Sequence, residues 1–122
     1  MLYRKVPKNG DELSILGFGA MRLPQNEDQS INEEAAISQM RSAIDAGVNY
    51  LDTAWPYHGG QSEVVLGKAL KDGYREKVKI ADKLPVWLCD NRDDMDSILN
   101  RQLEKLGVET IDYYLLHALE GE

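Results

Sequence analysis

Residues 48–83 read VNYLDTAWPYHGGQSEVVLGKALKDGYREKVKIADK, and this stretch decides the fold. It begins with a short apolar strand at 48–52 and ends with a second strand at 78–81. Between them, Ser62 opens a helix that Gly73 closes, with apolar residues on one face. A strand, a helix and a second strand in this order predict two parallel strands joined by a right-handed crossover.

The same unit recurs on both sides of this stretch. Upstream, an apolar strand at 15–19 precedes a helix in which Ser30 and Glu33 have the spacing of a capping box. Downstream, the acidic stretch 90–96 opens a helix that Gly107 ends, and a strand follows at 111–117. The apolar positions of these two helices recur at helical spacing: Ile37, Met40 and Ile44 in one, and Met95, Leu99, Leu103 and Leu106 in the other.

The strand ends recur about every 32 residues, and eight such units make the roughly 250 residues of a (β/α)₈ barrel. We therefore predict an α/β fold that forms the N-terminal half of a TIM barrel, with four parallel strands and flanking helices. A β-hairpin at 2–16, turning at Asn9-Gly10, precedes it. The whole chain, 1–122, is expected to be one truncated barrel domain, with its fourth strand at 111–117.

A small, complete doubly wound sheet is the alternative fold. No G-x-G-x-x-G motif follows the first strand, because Gly17-Phe18-Gly19 is followed by Ala20-Met21-Arg22. The sequence also stops soon after the fourth strand, which would leave an uncovered edge. Both points favour the half barrel.

Composition excludes several classes of protein. The chain has 122 residues and a net charge of −7, which argues against nucleic acid and membrane surfaces as partners. It contains no apolar run long enough to span a membrane and no signal peptide, so we expect a cytoplasmic location. Cys89 is the single cysteine, and we expect it to be a reduced, unreactive thiol that holds no metal.

Four chemically useful side chains fall at one end of the predicted strands. Asp52, Lys83 and His117 end three successive strands, and Tyr57 lies five residues beyond Asp52. In barrels this end is the catalytic rim. An ammonium group beside a tyrosine favours the phenolate, Asp52 would hold Lys83 charged, and a histidine can donate to a carbonyl oxygen. Such a cluster would protonate a carbonyl group as a hydride arrives.

Each of these residues also has an ordinary structural explanation. An Asp–Lys pair can serve stability alone, a tyrosine after a strand often packs, and a histidine at a strand end is often a hydrogen-bonded core residue. Their convergence on one rim favours the catalytic interpretation.

Three motifs carry a resemblance to a known family. Asp52-Thr53-Ala54-Trp55-Pro56-Tyr57, followed by Ser62-Glu63, resembles the D-T-A-x-x-Y…S-E signature of aldo-keto reductases. The segment 80–83, IADK, is similar to the strand bearing the catalytic lysine, and 112–117, DYYLLH, is similar to the strand bearing the catalytic histidine. The opening at 16–24, LGFGAMRLP, resembles the branch of predicted oxidoreductases whose longer members end in a ferredoxin-like iron–sulfur segment.

The resemblance implies NADPH-dependent reduction of a small aldehyde or ketone. Tyr57 would be the general acid, Lys83 and Asp52 would tune it, and His117 would orient the carbonyl group. The same resemblance puts four residues near the nicotinamide ribose: Gly19, Ala20, Met21 and Asp52. Trp55 and Trp87 would line the substrate pocket, with ordinary packing as an equal alternative.

Two departures from the family pattern limit this expectation. Asp82 replaces the usual threonine before the lysine; it would compete for Lys83, disfavour the ionised Tyr57, or do neither if it points outward. The loops that hold the rest of NADPH follow later barrel strands that this sequence does not include. We therefore expect weak or absent NADPH binding by this chain alone and no iron–sulfur cluster.

A second hypothesis is a non-catalytic half barrel that self-associates. Open edges and an uncovered inner face would favour a homodimer or a complementary half barrel as partner. Ile80, Leu115 and the strand around Phe18 would lie at that seam, each costing roughly 1.5–3 kcal/mol if left in water.

Overall fold

A computed structural model describes residues 1–119. Two strands form an antiparallel hairpin and four form a parallel sheet in the order β3-β4-β5-β6, with a helix in each of the three connections. The elements are β1 Tyr3–Lys5, β2 Glu12–Ser14, β3 Phe18–Gly19, α1 Glu33–Asp45, β4 Tyr50–Asp52, α2 Gln61–Ala69, β5 Lys79–Pro85, α3 Arg92–Leu106 and β6 Tyr113–His117. This is the predicted architecture: a hairpin, then the first four strands of a (β/α)₈ barrel.

The core lies between the sheet and its helices. Successive strand residues point to opposite faces, so Leu51 of β4 and its register partner Ile80 of β5 both face the helices. Both side chains are buried in a cluster that includes Met40 of α1 and Leu66 of α2. The expectation that Ile80 lies at an exposed seam was therefore wrong, because the pleat turns it toward the helices. Phe18 is half-buried and packs against the same cluster.

The hairpin closes the end of the sheet opposite the strand C-termini. Asp11, in the turn between β1 and β2, accepts a 2.7 Å hydrogen bond from the Tyr113 hydroxyl at the start of β6. Asn49, just before β4, accepts from the Ser14 backbone N–H at 2.7 Å. The strands are shorter than the predicted hairpin at 2–16, but the Asn9-Gly10 turn is confirmed, with Gly10 at a φ of 79°.

Two asparagines cap the long helices. Asn32 caps α1 by accepting from the Ala35 N–H, and Asn91 caps α3 by accepting from the Asp94 N–H. The expected capping box at Ser30 was wrong. Ser30 instead donates from its backbone and its hydroxyl to Asp28, in a turn two residues before the cap.

Helices α2 and α3 pack closely enough to require a glycine. A Cβ added at Gly67 would lie 2.5 Å from the Leu106 carbonyl oxygen, inside van der Waals contact. Gly107 then ends α3 in the left-handed conformation, with a φ of 67°. Within residues 1–119, no helix has both the length and the apolar character to cross a membrane.

Candidate active site

The C-terminal ends of β4, β5 and β6 bring the predicted residues together. Asp52 is the last residue of β4, Lys83 lies in β5, and His117 is the last residue of β6. Tyr57 begins a short 3₁₀ turn, Tyr57–Gly60, that follows β4. Lys83 pairs in register with Leu115, which puts its side chain on the sheet face away from the helices.

The Lys83 ammonium group is the centre of the cluster. Its Nζ atom lies 2.8 and 3.0 Å from the two carboxylate oxygens of Asp52, 2.8 Å from the Thr53 carbonyl oxygen and 3.3 Å from the Tyr57 hydroxyl. Burial lowers the pKa of Lys83, but hydrogen bonds to Asp52 and Tyr57 outweigh this effect and raise it above its ordinary value. Lys83 is therefore fully charged at neutral pH.

Tyr57 and His117 face each other across the rim. Their rings meet edge to face, with centroids 6.1 Å apart. The Nδ1 atom of His117 is buried and has no hydrogen-bond partner among the described residues. A buried polar atom of this kind commonly marks a place where a polar ligand or a water completes the network.

The loop after β3 is attached directly to this cluster. The Ala20 N–H donates to the Asp52 carbonyl oxygen at 2.8 Å, and the Ser62 hydroxyl donates to the Ala20 carbonyl oxygen at 2.9 Å. A Cβ added at Gly19 would meet nothing within 4 Å, and the Met21 side chain is exposed. The rim beside Asp52 thus has open space next to the loop.

The two tryptophans share a groove beside the cluster. Trp55 and Trp87 line a space of about 500 Å³ together with Arg101 and Lys105. The Lys105 ammonium group lies 4.3 Å from the Trp55 ring centroid, and the Trp87 ring lies 5.3 Å from the His117 ring. Trp87 therefore lies beside His117 at the rim, whereas the Trp55 ring packs against the Lys105 ammonium group.

Asp82, whose orientation the sequence left open, points away from the rim. Its side chain is completely buried on the helix side of the sheet, and its Oδ1 atom accepts a 2.8 Å hydrogen bond from the Lys83 backbone N–H. It makes no contact with the Lys83 ammonium group. The possibility that Asp82 competes with Asp52 for that group is wrong, because adjacent strand residues face opposite sides.

Two residues support the site through contacts that were not predicted from the sequence. His58 takes a left-handed backbone conformation, with a φ of 53°, and its Nε2 atom accepts a 3.0 Å hydrogen bond from the Leu23 N–H. Ser62 lies 2.9 Å from Thr53, oxygen to oxygen, in addition to its bond to Ala20. The signal for Ser62 was its place in the D-T-A-x-x-Y…S-E signature, and the signal for His58 was only its position in the stretch that follows Asp52.

Cys89 fits its predicted role as an inert thiol. Partial burial, with further contributions from Asp94 and Asp90, raises its pKa above the ordinary value, so the thiol stays protonated at neutral pH. Among residues 1–119, no three His, Cys, Asp or Glu side chains are grouped as a metal site would require.

The sequence of the chain is similar to sequences of known proteins. The sequence model of the Aldo/keto reductase family matches residues 15–122. The probable aldo-keto reductase 1 of Glycine max is 32% identical over 95% of this chain and 36% of its own length. The aldo-keto reductase YhdN of Bacillus subtilis (strain 168) is 31% identical over 96% of this chain and 38% of its own length.

A solved structure is also similar to this chain. The aldo-keto reductase from Klebsiella pneumoniae in complex with NADPH superposes with a TM-score of 0.82 and 26% identity, over all of this chain and 41% of that one. The chain thus spans less than half the length of the relatives that it matches. It belongs to the aldo/keto reductase family.

Proposed function

We propose that this chain carries the acid–base half of an NADPH-dependent oxidoreductase that reduces a small aldehyde or ketone, with Tyr57 as the general acid. One observation carries the proposal: the Lys83 ammonium group contacts both the Tyr57 hydroxyl and the Asp52 carboxylate. The Lys83 side chain is only 14% exposed, so its charge acts on Tyr57 with little screening by water.

The chemistry follows from these contacts. NADPH, when bound, supplies a hydride to the carbonyl carbon. Tyr57 donates its hydroxyl proton to the carbonyl oxygen, and the carbonyl group becomes an alcohol. The Lys83 ammonium group stabilises the phenolate that Tyr57 leaves behind, while Asp52 keeps Lys83 charged and in place. His117 donates a hydrogen bond to the carbonyl oxygen, and solvent returns the proton to Tyr57.

The same rim offers the contacts for the reacting end of the cofactor. Gly19, Ala20 and Met21 would lie along the nicotinamide ribose, and the partly exposed Asp52 carboxylate would accept from a ribose hydroxyl group. Trp87 would cover the substrate carbonyl beside His117, with Trp55 farther out. Two facts support this assignment: the loop is hydrogen-bonded to Asp52, and a relative of the same fold binds NADPH.

A chimeric barrel tests the proposal. Residues 1–119 would replace the matching portion of the Klebsiella pneumoniae reductase, and NADPH oxidation would be followed with a panel of aldehydes and ketones. We expect turnover that Tyr57→Phe lowers by at least 100-fold, since general acid catalysis contributes about 10²–10⁴-fold.

Tyr74→Phe is the matched control. The Tyr74 hydroxyl donates to Asp45 on the protein surface, far from the rim, so its loss leaves turnover unchanged. A folded chimera that binds NADPH and turns over equally well with Tyr57→Phe would overturn the proposal.

A self-associating structural module remains the second candidate function. Three consecutive residues of the edge strand β6 carry exposed side chains, namely Tyr114, Leu115 and Leu116. A second copy of the chain or a complementary half barrel would cover these side chains. Association with either partner does not require catalysis.

A further inference from the structure

A group of charged side chains lies buried behind Lys83, and the mechanism does not use it. Asp82 of β5 and Glu63 of α2 are both completely buried between the sheet and the helices. Lys105 of α3 joins them, with its Nζ atom 2.6 Å from Oε1 of Glu63. The Tyr114 side chain of β6 also faces this group, and partial burial, together with negative charge on Asp82 and Glu63, raises the pKa of its hydroxyl.

The charges in this group do not balance if every residue is ionised. Two carboxylates face one ammonium group, because the Lys83 ammonium lies on the other face of the sheet and is held by Asp52. The Oδ2 atom of Asp82 and the Oε2 atom of Glu63 are buried, and the described residues offer neither of them a hydrogen-bond donor. An unpaired ionised carboxylate is very costly in such a place. One proton between the two carboxyl groups would remove the excess charge and allow one carboxyl group to donate a hydrogen bond to the other.

We propose that Asp82 and Glu63 share one proton, and that in this state Asp82 is a positioning residue for Lys83. The first part rests on the buried cluster alone, and the second part also rests on the proposed function. Asp82 does not touch the reacting atoms; it acts through the backbone of the lysine that does.

The backbone of Lys83 is held from both sides by this network. Its N–H donates to Oδ1 of Asp82 at 2.8 Å, and its carbonyl oxygen accepts from the Gln102 side chain at 2.9 Å. The Tyr114 hydroxyl donates to the other end of the Gln102 amide at 2.5 Å, which fixes its orientation. A clamp on both backbone groups determines where the Lys83 side chain leaves the sheet, and therefore whether its ammonium group reaches Tyr57.

The electrostatics agree with a protonated Asp82. Burial, followed by the hydrogen bond and the charge of Glu63, raises the pKa of Asp82 to about 9. The folded chain therefore keeps a proton at neutral pH that the unfolded chain has lost above about pH 4. Since the unfolded state binds fewer protons over this range, stability falls as pH rises from about 4 to about 9.

Asp82→Asn isolates this proton. The amide oxygen of the new asparagine can still accept from the Lys83 N–H, and its amide N–H can donate to Glu63. Because an amide does not ionise, this hydrogen bond does not depend on pH. We expect the melting temperature of the wild-type chain to fall between pH 5 and pH 9, and that of Asp82→Asn to fall less. The infrared band of a protonated carboxyl group at pH 7 should be present in the wild type and absent in Asp82→Asn.

Three results would overturn the shared proton. One is a wild-type spectrum at pH 7 without a protonated carboxyl band. A second is a melting temperature that depends on pH equally in both proteins. A melting temperature that rises with sodium concentration in the wild type alone would also overturn it, because a bound cation would then balance the charge.

The positioning role is tested in the chimeric barrel with Asp82→Ala and Asp82→Asn. We expect Asp82→Ala to lower kcat at least tenfold with little change in the KM for the aldehyde, and Asp82→Asn to restore most of it. Equal kcat values in the wild type and a folded Asp82→Ala would overturn the positioning role. If the wild-type chimera has no turnover, both the proposed function and the positioning role of Asp82 fail. The infrared spectra still show whether Asp82 and Glu63 share a proton.

Discussion

The Lys83 ammonium nitrogen lies 2.8 Å from the nearer carboxylate oxygen of Asp52, across two neighbouring parallel strands. Both side chains are mostly buried, at 14% and 31% exposure. The burial of this pair is therefore intermediate between that of a surface salt bridge, which contributes little to stability, and that of a fully buried one. Its hydrogen bonds help to raise the pKa of Lys83 and so keep this side chain charged.

Asp52→Asn should lower the free energy of unfolding by about 2 kcal/mol at pH 7, because the ion pair is replaced by a bond from the Lys83 ammonium group to an uncharged amide. The pKa of Lys83 is raised in the folded chain, so its contribution is complete below the ordinary lysine pKa of 10.5 and is lost as pH rises through the higher folded value. Urea denaturation at pH 7 and above pH 11 checks this. A difference between the proteins that grows at the higher pH would contradict it.

Gly67→Ala should destabilise the chain even though it improves helix propensity. Alanine in a helix gains about 1 kcal/mol over glycine, but the new methyl group would lie 2.5 Å from the Leu106 carbonyl oxygen. Forcing the two helix backbones apart costs about 1–3 kcal/mol. After the gain in helix propensity is subtracted, we expect a net loss of up to about 2 kcal/mol by urea denaturation. Greater stability than the wild type would show that separating α2 and α3 costs less than the gain in helix propensity.

His58→Ala should loosen the loop that lies along the proposed cofactor site. The substitution leaves the Leu23 N–H, in a residue that is only 4% exposed, without its partner. An unsatisfied buried donor costs about 1–3 kcal/mol. We expect faster amide hydrogen exchange at residues 20–23, with exchange in α3 unchanged. His58→Asn tolerates the left-handed backbone equally well but is too short to reach Leu23, so it should show the same faster exchange. Unchanged exchange in both variants would contradict the role given to His58.

Most of the fold follows from the sequence because its signals are local and repeated. The apolar periodicity of the helices and the regular spacing of the strand ends predict the parallel sheet, and with it the convergence of Asp52 and Lys83. The start of α1 did not follow, because Ser30 and Asn32 are both good caps and only the conformation of the preceding turn selects Asn32. The face on which Asp82 lies needs the exact register of β5, which a short apolar run does not define.

The 122-residue chain alone should reduce carbonyl compounds poorly. Its site supplies the acid–base residues, but the family resemblance puts most contacts to the cofactor phosphates on later barrel strands. Titration with NADPH, followed by its fluorescence, should show binding at least 100-fold weaker than that of the chimeric barrel. Tight binding and rapid turnover, abolished by Tyr57→Phe, would show that residues 1–122 hold the cofactor unaided.

The edge strand β6 should drive self-association. Leu115 and Leu116 are 44% and 55% exposed on opposite faces of the sheet, and burying each would contribute up to about 1.5–3 kcal/mol. Edge-to-edge contact about a two-fold axis would bury both leucines and pair the open backbone groups of β6. Sedimentation should therefore show a dimer at micromolar concentration, and Leu116→Lys should shift it to monomer by adding like charges across the axis.

Ile15→Lys is the matched control for this prediction. Ile15 is exposed to a similar degree, at 57%, but lies beside the hairpin rather than on β6. If β6 forms the interface, Ile15→Lys leaves the dimer intact. A wild-type chain that sediments as a monomer at all concentrations and melts cooperatively would contradict the prediction. If the two lysine substitutions disrupt the dimer equally, the interface is not confined to β6.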